Sequence, residues 1–371
     1  MKSSSGQYFI ALDHVRAIAA FLVFTWHFTH TKVGFPVPFE YVPSFFPFSV
    51  FDEGHTGVAL FMTLSGYLFA KLLDGRRINY LSFLYNRFLR LVPLLVIVII
   101  AVGIRHYLEG GRISVYAINT IKGIIYPTLP NGGWSITAEF HFYLVLPLLL
   151  WLSWRSRYAL GGIIAAMVLL RCVIHNVLGE VHTLAYWTIV GRLDQFVLGI
   201  IAYRFHTHLT RRHVFMLVSA GVFLLFYWWF DRQGGFFNYP SYPSPHTLWI
   251  VMPTIEGAFY SMMIAWYDTS FSHSRNRFSR FVATIGTYSY SIYLLHFFFV
   301  FTMSSVIHHY IVDLSCFPVA LVFSVICFLA MVPFGYLSYR FIEMPFLRLR
   351  THYIVNEKGY DRRHLRRGSD R

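Results

Sequence analysis

The feature that most constrains this chain is a series of apolar stretches, each long enough to cross a lipid bilayer as a helix. A transmembrane helix needs about 20 predominantly apolar residues, at a rise of about 1.5 Å per residue. Backbone in lipid must also satisfy its own hydrogen bonds, which a helix does within one segment. We therefore predict an all-α integral membrane protein with about ten transmembrane helices, over residues 9–31, 55–73, 91–109, 136–153, 159–178, 184–205, 214–230, 248–267, 282–303 and 317–340.

The composition agrees with a membrane-embedded chain. Of 371 residues, 56% are hydrophobic and only 13% are charged, against about 25% charged residues in soluble domains. Cys172, Cys316 and Cys327 lie in apolar stretches without CxxC spacing, so we expect packing residues. The sequence has no HExxH motif, no Cys/His cluster with metal-ligand spacing, no Walker loop and no GxSxG elbow. Neither a metal site nor those hydrolase chemistries are therefore predicted.

The distribution of positive charge predicts the orientation of the chain. With the N-terminus in the cytoplasm, 22 of the 31 Lys and Arg residues are assigned to cytoplasmic segments, six to outside segments, and Arg16, Arg192 and Arg340 to spans. This bias predicts that both termini are cytoplasmic. The net charge of +14 lies between the apolar stretches, as is typical of loops that face anionic membrane lipid. Because no nucleic-acid-binding motif is present, we expect no nucleic-acid partner.

The first predicted span contains ionisable residues at membrane depth. A charged group at the bilayer centre costs at least about 2.5–3.5 kcal/mol, so such residues are usually paired or line a polar cavity. Arg16 and His27 are eleven positions apart, and at about 100° per residue they share one helix face, about 16 Å apart along its axis. A snorkelling arginine and a hydrogen-bonded core histidine are the alternatives, although the shared face favours a polar cavity.

The fourth predicted span brings a carboxylate to a similar depth. It enters from the outside, so Glu139 is expected about one turn below the outer surface, close to the depth of His27. A buried carboxylate beside an imidazole would orient the ring and raise its basicity. The alternative is a glutamate that is stabilised by the positive end of its helix.

Further charged and histidine residues lie just before the third predicted span and within the sixth and ninth. Arg87 and Arg90 are three positions apart and share a face at the cytoplasmic rim, which suits phosphate or pyrophosphate binding or, alternatively, positive-inside anchoring. Arg192 and Asp194 are expected to neutralise one another or a neighbour in a structural ion pair. His296 falls in the outer half of the ninth span, as a hydrogen-bonded interior histidine or as an acceptor contact.

These same segments resemble the membrane acyltransferase-3 family. In that family, an Arg and a His separated by ten residues lie in the first span, as Arg16 and His27 do in LDHVRAIAAFLVFTWHF. The resemblance covers residues 8–345. Four further segments resemble family motifs in the family's order: GVALFMTLSGYL (57–68), NRFLRLVP (86–93), WSITAEFHFYLVLP (134–147) and SYSIYLLH (289–296).

The resemblance implies a multi-pass O-acyltransferase of the bacterial inner membrane. Such enzymes move an acyl group, acetyl by default, from cytosolic acyl-CoA to a hydroxyl of a glycan or lipid-linked saccharide, such as O-antigen, capsule or exopolysaccharide. Acetyl-CoA is then a co-substrate, and no metal is expected. The chain resembles the stand-alone form that lacks a soluble esterase-like domain. We expect a transmembrane acyltransferase domain over 1–347 and a basic, disordered cytoplasmic tail over 348–371.

The resemblance also implies roles for individual residues. His27 is expected to act as general base toward the acceptor hydroxyl, or to carry a transient acyl group, with Glu139 orienting it. The expected contacts are Arg16, Arg87 and Arg90 for acyl-CoA, and Trp134, Ser135 and His296 for the acceptor.

A transporter is the main alternative, because intramembrane His, Asp, Glu and Arg residues also build proton relays. Transporter folds often consist of two repeated halves with broken helices. The sequence shows no such repeat, and its charged residues cluster in spans one, three, four and six. We therefore predict an enzyme ahead of a transporter or a non-catalytic scaffold.

Overall fold

The computed structural model describes residues 9–30, 44–74, 76–156, 158–273 and 276–355. Helices account for most of this part of the chain, as the apolar stretches predict. The helices are α1 (Ile10–Thr29), α2 (Ser49–Asp52), α3 (Thr56–Leu73), α4 (Tyr80–Leu108), α5 (Ile113–Lys122), α6 (Trp134–Arg155), α7 (Ala159–Leu178), α8 (His182–Trp187), α9 (Ile189–Arg204), α10 (His206–Leu209), α11 (His213–Arg232), α12 (Gly235–Asn238), α13 (Leu248–Ser270), α14 (Arg277–Leu295), α15 (Val300–Tyr310), α16 (Phe317–Ser338) and α17 (Met344–Leu347).

Two short irregular helices and one small ribbon complete the described secondary structure. A 3₁₀ turn over His296–Phe298 follows α14, and a π-helical turn over Tyr339–Glu343 joins α16 to α17. The strands β1 (Arg77–Ile78) and β2 (Ile354–Val355) pair antiparallel. This ribbon ties the end of the described chain to the segment between α3 and α4.

The prediction of an all-α membrane fold is confirmed, with a different number of unbroken spans. In the described ranges, eight helical segments are long and apolar enough to cross a membrane. A ninth consists of Arg277–Phe298 and Val300–Tyr310, bent by 57° at the break. The predicted span 184–205 is divided at Thr188 into α8 and the 16-residue α9. Buried polar residues on α9 lower its hydropathy, which explains why it differs from a plain span.

Close backbone contacts hold α1 and α3 at the centre of the bundle. A Cβ atom added to Gly286 of α14 would lie 1.8 Å from the carbonyl oxygen of Asp13 on α1. A Cβ atom added to Gly66 of α3 would lie 2.0 Å from the carbonyl oxygen of Phe196 on α9. Small residues allow this approach of helix backbones in membrane bundles. These two contacts fix how α14 and α9 are rotated around the central pair.

Ion pairs join the polar helix α9 to its neighbours. Asp194 accepts from Arg171 of α7 at 2.8 Å, and Arg192 lies 3.6 Å from Glu256 of α13. All four side chains are buried. Arg192 and Asp194 were predicted to neutralise either one another or a neighbour, and each forms its ion pair with a neighbouring helix. These pairs have a structural role between α7, α9 and α13.

Part of the segment 348–355 is fixed against the bundle, although the sequence predicted a disordered tail from 348 onward. The side chain of Tyr353 is only 1% exposed and contacts Phe83 on α4. The prediction rested on the basic composition of the segment. The burial of the aromatic side chain of Tyr353 stabilises an ordered conformation that this composition does not indicate. The remainder of the predicted tail, 356–371, lies outside the described residues.

Candidate active site

A cavity of about 200 Å³ lies between α1, α3, α4, α6 and α14. One water molecule takes up about 30 Å³ of the liquid, so the cavity can hold several non-hydrogen atoms of a ligand. Its lining includes four arginines and only two carboxylates, which favours an anionic ligand. These charged residues are Asp13, Arg16, Arg87, Arg90, Glu139 and Arg350.

The three arginines that were predicted to bind the acyl donor all line this cavity, in different surroundings. Arg16 donates to Asp13, three residues earlier on the same helix. Nη1 of Arg90 donates to Oε2 of the buried Glu343 at 2.6 Å. The guanidinium of Arg87 lies over two aromatic rings, at 5.0 and 5.4 Å, and its buried Nε has no hydrogen-bond partner. Among the described residues, Arg87 forms no ion pair, so its charge is available to a ligand.

Glu139 lies at the arginine end of the cavity. Its Oε1 accepts hydrogen bonds from the hydroxyls of Ser65, at 3.4 Å, and Tyr143. Arg87 and Arg90 are the positive charges that act on its carboxylate. The hydrogen bonds of Glu139 therefore lead to α3 and to its own helix.

The predicted contact between Glu139 and His27 is not among the hydrogen bonds and ion pairs of the described residues. The depth of a residue along α6 does not determine toward which neighbouring helix its side chain is directed. In the bundle, Ser135, Glu139 and Tyr143 line one face of the cavity, eight residues or about 12 Å along α6. Glu139 is directed toward the arginines because they carry the charge that compensates it.

His27 is instead paired with His296. Nδ1 of His27 lies 3.2 Å from Nε2 of His296 and 2.8 Å from the carbonyl oxygen of Val23. The rings are 4.9 Å apart, edge to face. Nδ1 of His296 lies 2.6 Å from the carbonyl oxygen of Tyr293. The structure thus brings together two residues that the sequence assigned to separate roles.

These partners determine which ring nitrogens carry protons. A carbonyl oxygen only accepts, so Nδ1 of His296 must donate to Tyr293, and Nε2 of a neutral His296 is an acceptor. Both neighbours of Nδ1 of His27 are then acceptors, so this atom is protonated. The basic lone pair of His27 is therefore on Nε2. The Val23 carbonyl fixes the tautomer of His27, and His296 is a second acceptor that helps to hold the direction of the ring, as the orienting residue of a catalytic histidine does.

Tyr293 connects the cavity to the histidine pair. Its side chain lines the cavity, whereas His27 and His296 are not among the described lining residues. Its ring centroid lies 6.0 Å from that of His296, and its hydroxyl donates to the carbonyl oxygen of Gly132 at 3.1 Å. The cavity therefore ends at a tyrosine that is in contact with the histidine pair.

The two residues at the start of α6 face different surroundings. Ser135 lines the cavity, and its hydroxyl donates at 2.9 Å to the same carbonyl oxygen of Gly132. Trp134 instead packs against Tyr186 and Trp187, at ring distances of 5.2 and 4.7 Å. Their predicted acceptor contacts stay predictions.

Sequence reasoning did not single out several residues that line the cavity. Tyr143 and Tyr293 lie inside the quoted motifs, but a tyrosine in an apolar stretch is equally typical of membrane packing. Arg350 lies in the basic segment that the sequence predicted to be a disordered tail. The spacing of the tyrosines could have indicated a shared polar face, because each tyrosine lies three or four residues from a charged or histidine residue on the same helix.

The sequence is similar to those of known acyltransferases. Residues 9–340 match a family model described as an acyltransferase domain. The chain belongs to the membrane acyltransferase-3 family. The chain is 25% identical to each of two Staphylococcus aureus proteins, from strains MRSA252 and COL, both named "Putative O-acetyltransferase". The alignments cover 94% and 92% of this chain, but only 60% and 57% of those relatives. No solved structure matches the chain.

Proposed function

We propose that this acyltransferase moves an acetyl group from acetyl-CoA to a hydroxyl of a glycan or lipid-linked saccharide at the bacterial inner membrane. The observation that carries this proposal is one cavity with arginines at one end and, at the other, a tyrosine in contact with the His27–His296 pair. Acyl transfer from an anionic thioester donor requires positive charge to bind the donor and a base to deprotonate the acceptor. The arginines and the imidazole of His27 are suited to these two tasks.

The arginine end suits the phosphates of the donor. The guanidinium of Arg90 lies 5.7 Å from the ring of Tyr290. From Tyr290 to His296 is six residues, or about 9 Å at the helical rise. The extended pantetheine arm of CoA can bridge this separation. The donor would therefore lie with its phosphates near Arg87 and its thioester near Tyr293.

The histidine end suits proton transfer. Nε2 of His27 would take the proton of the acceptor hydroxyl while the hydroxyl oxygen attacks the thioester carbonyl. The new C–O bond forms as the C–S bond breaks, and the proton is returned to the CoA sulfur as the thiol leaves. An acyl group held on Nε2 of His27 before transfer is the second route to the same products. His296 stabilises the imidazolium, because Nδ1–H of His27 points at it.

The acceptor side favours a saccharide. Trp134, Tyr186 and Trp187 pack around the start of α6, beside Trp26, which precedes His27 in the chain. Flat aromatic side chains with polar edges are suited to contact a sugar ring. The names of the two Staphylococcus aureus relatives support an O-acetyl product.

The test is transfer of label from radiolabelled acetyl-CoA to host glycans by purified protein in nanodiscs. His27→Ala should abolish transfer. His309→Ala is the matched control, because His309 makes the same Nδ1 contact to the carbonyl oxygen four residues earlier but is exposed. Transfer by His27→Ala at the wild-type rate would reject the mechanism. Wild type that transfers no label and hydrolyses no acetyl-CoA would reject the function.

A further inference from the structure

The chain after α17 returns to the start of α4 and is fixed there by several contacts. Nδ2 of Asn86 donates to the carbonyl oxygen of Thr351 at 2.6 Å, and the Thr351 amide donates to Oδ1 of Asn86 at 2.9 Å. The amide of Asn79 donates to the carbonyl oxygen of Tyr353 at 2.8 Å. These contacts hold Arg350, one residue earlier, in the lining of the cavity.

Arg350 adds positive charge that the surrounding residues do not neutralise. Burial, together with the charges of Arg90 and Arg87, lowers the pKa of the Arg350 guanidinium to about 9. The Nε atoms of Arg350 and Arg87 are both buried and have no hydrogen-bond partner in the part of the chain that the structure describes. Arg90 is paired with Glu343. Within the described ranges, Arg87 and Arg350 are therefore neighbouring cations without an ion-paired carboxylate.

We propose that Arg350 and Arg87 together bind a phosphate group, and that the segment 348–355 serves to bring Arg350 to it. This inference rests on the proposed function, in which the ligand is the phosphate of the acyl donor. Guanidinium groups present parallel N–H donors that match phosphate oxygens in geometry as well as in charge. A bound dianion would also relieve the repulsion between the two arginines. No acceptor of the described residues binds either Nε atom, so neither guanidinium is committed to the protein through it.

The headgroup of an anionic phospholipid offers the same chemistry. The continuity of the cavity from Arg350 to Tyr293 favours the donor, because a lipid phosphate has no need of a path to the histidine pair. The test must therefore separate phosphate on CoA from phosphate on lipid.

The experiment measures binding without catalysis, using detergent-purified full-length protein. Three probes are titrated: coenzyme A, 4′-phosphopantetheine, and pantetheine, which has no phosphate. Arg350→Gln should weaken coenzyme A binding by about tenfold to a hundredfold, the loss expected for a charge-assisted contact. It should leave pantetheine binding unchanged, which also shows that the cavity is intact. The affinity of Arg350→Lys for coenzyme A should lie between those of wild type and Arg350→Gln. Lysine retains the positive charge but lacks the parallel N–H donors of a guanidinium group.

Arg348→Gln is the matched control, because Arg348 is exposed, is two residues away and does not line the cavity. It should bind coenzyme A as wild type does. Equal binding by wild type and Arg350→Gln, or an equal loss for coenzyme A and pantetheine, would overturn the role of Arg350 while leaving the proposed function intact. Wild type that binds no coenzyme A would overturn the donor itself.

The lipid arm uses native mass spectrometry with phosphatidylglycerol and phosphatidylcholine. Retention of phosphatidylglycerol by wild type, its loss in Arg350→Gln, and unchanged coenzyme A binding in that variant would assign the phosphate to lipid and overturn the donor assignment. We expect the Arg350→Gln variant to retain phosphatidylglycerol as wild type does and to bind coenzyme A more weakly.

Discussion

Nδ1 of His27 lies 3.2 Å from Nε2 of His296, which joins two residues that are 269 positions apart in the chain. This contact makes His296 the residue that orients the proposed base. It also connects α1 to the end of α14, where the helix passes into a 3₁₀ turn.

The pair predicts how replacement of His296 affects catalysis. His296→Ala should lower kcat by about 10²–10⁴-fold with little change in KM for acetyl-CoA, because the ring of His27 loses the neighbour that holds its direction and stabilises its imidazolium, while the Val23 carbonyl still fixes its tautomer. His296→Gln should recover part of the rate, since its side-chain oxygen can accept from Nδ1 of His27. Steady-state kinetics in nanodiscs measure both values. A rise in KM with unchanged kcat would instead assign His296 to donor binding.

The surroundings of Glu139 predict a different effect. Glu139→Gln should change KM for acetyl-CoA several-fold, because the carboxylate balances the charges of Arg87 and Arg90. The pH dependence of kcat should keep its wild-type midpoint, because Glu139 is hydrogen-bonded to Ser65 and Tyr143 rather than to His27. The measurement is kcat and KM across the pH range. A shifted midpoint would restore Glu139 as the partner of His27.

Replacement of Arg90 should mainly affect stability, whereas replacement of Arg87 should mainly affect donor binding. Arg90→Gln leaves the buried carboxylate of Glu343 without its partner, which costs about 3–5 kcal/mol for a buried ion pair. The free energy of unfolding should fall accordingly, and the double variant Arg90→Gln/Glu343→Gln should recover part of it. Arg87→Gln should raise KM for acetyl-CoA with a smaller loss of stability. Thermal unfolding in detergent and steady-state kinetics check these outcomes; equal losses of stability in both single variants would contradict them.

Two buried carboxyls between α1 and α3 predict a pH-dependent stability. Burial and the neighbouring Glu53 raise the pKa of Asp52 to about 8, and burial raises the pKa of Glu53 to about 8. The folded state therefore holds protons that the unfolded state releases near pH 4, so stability falls as the pH rises from about 4 to about 8. The Tm of wild type should decrease over this range, and that of Asp52→Asn should decrease less.

Asp313→Asn is the control for that measurement. Asp313 is exposed, and its hydrogen bonds with Ser315 lower its pKa, so its replacement should not reduce the fall in Tm between pH 4 and 8. A wild-type Tm that does not change with pH in this range would show that Asp52 and Glu53 keep their charges when folded.

Local properties of the chain were sufficient for the fold class and the family. The cost of exposing apolar side chains to water, and of leaving backbone groups unpaired in lipid, acts within each segment, so the apolar stretches predicted an all-helical membrane protein. The first span and the segment just before the third also contained three of the arginines that line the cavity, Arg16, Arg87 and Arg90. Arg87 and Arg90, three positions apart, share a helix face regardless of the rest of the fold.

Only the tertiary structure decided which residues meet. The rotation and depth of α1, α6 and α14 depend on close backbone contacts such as that of Gly286 with Asp13, and no single segment contains that information. It therefore took the packed bundle to direct Glu139 toward the arginines, to join His27 to His296, and to bring Arg350 back to the cavity. Apolar burial determines that helices form, whereas the pairing of their few polar groups is settled by where distant helices touch.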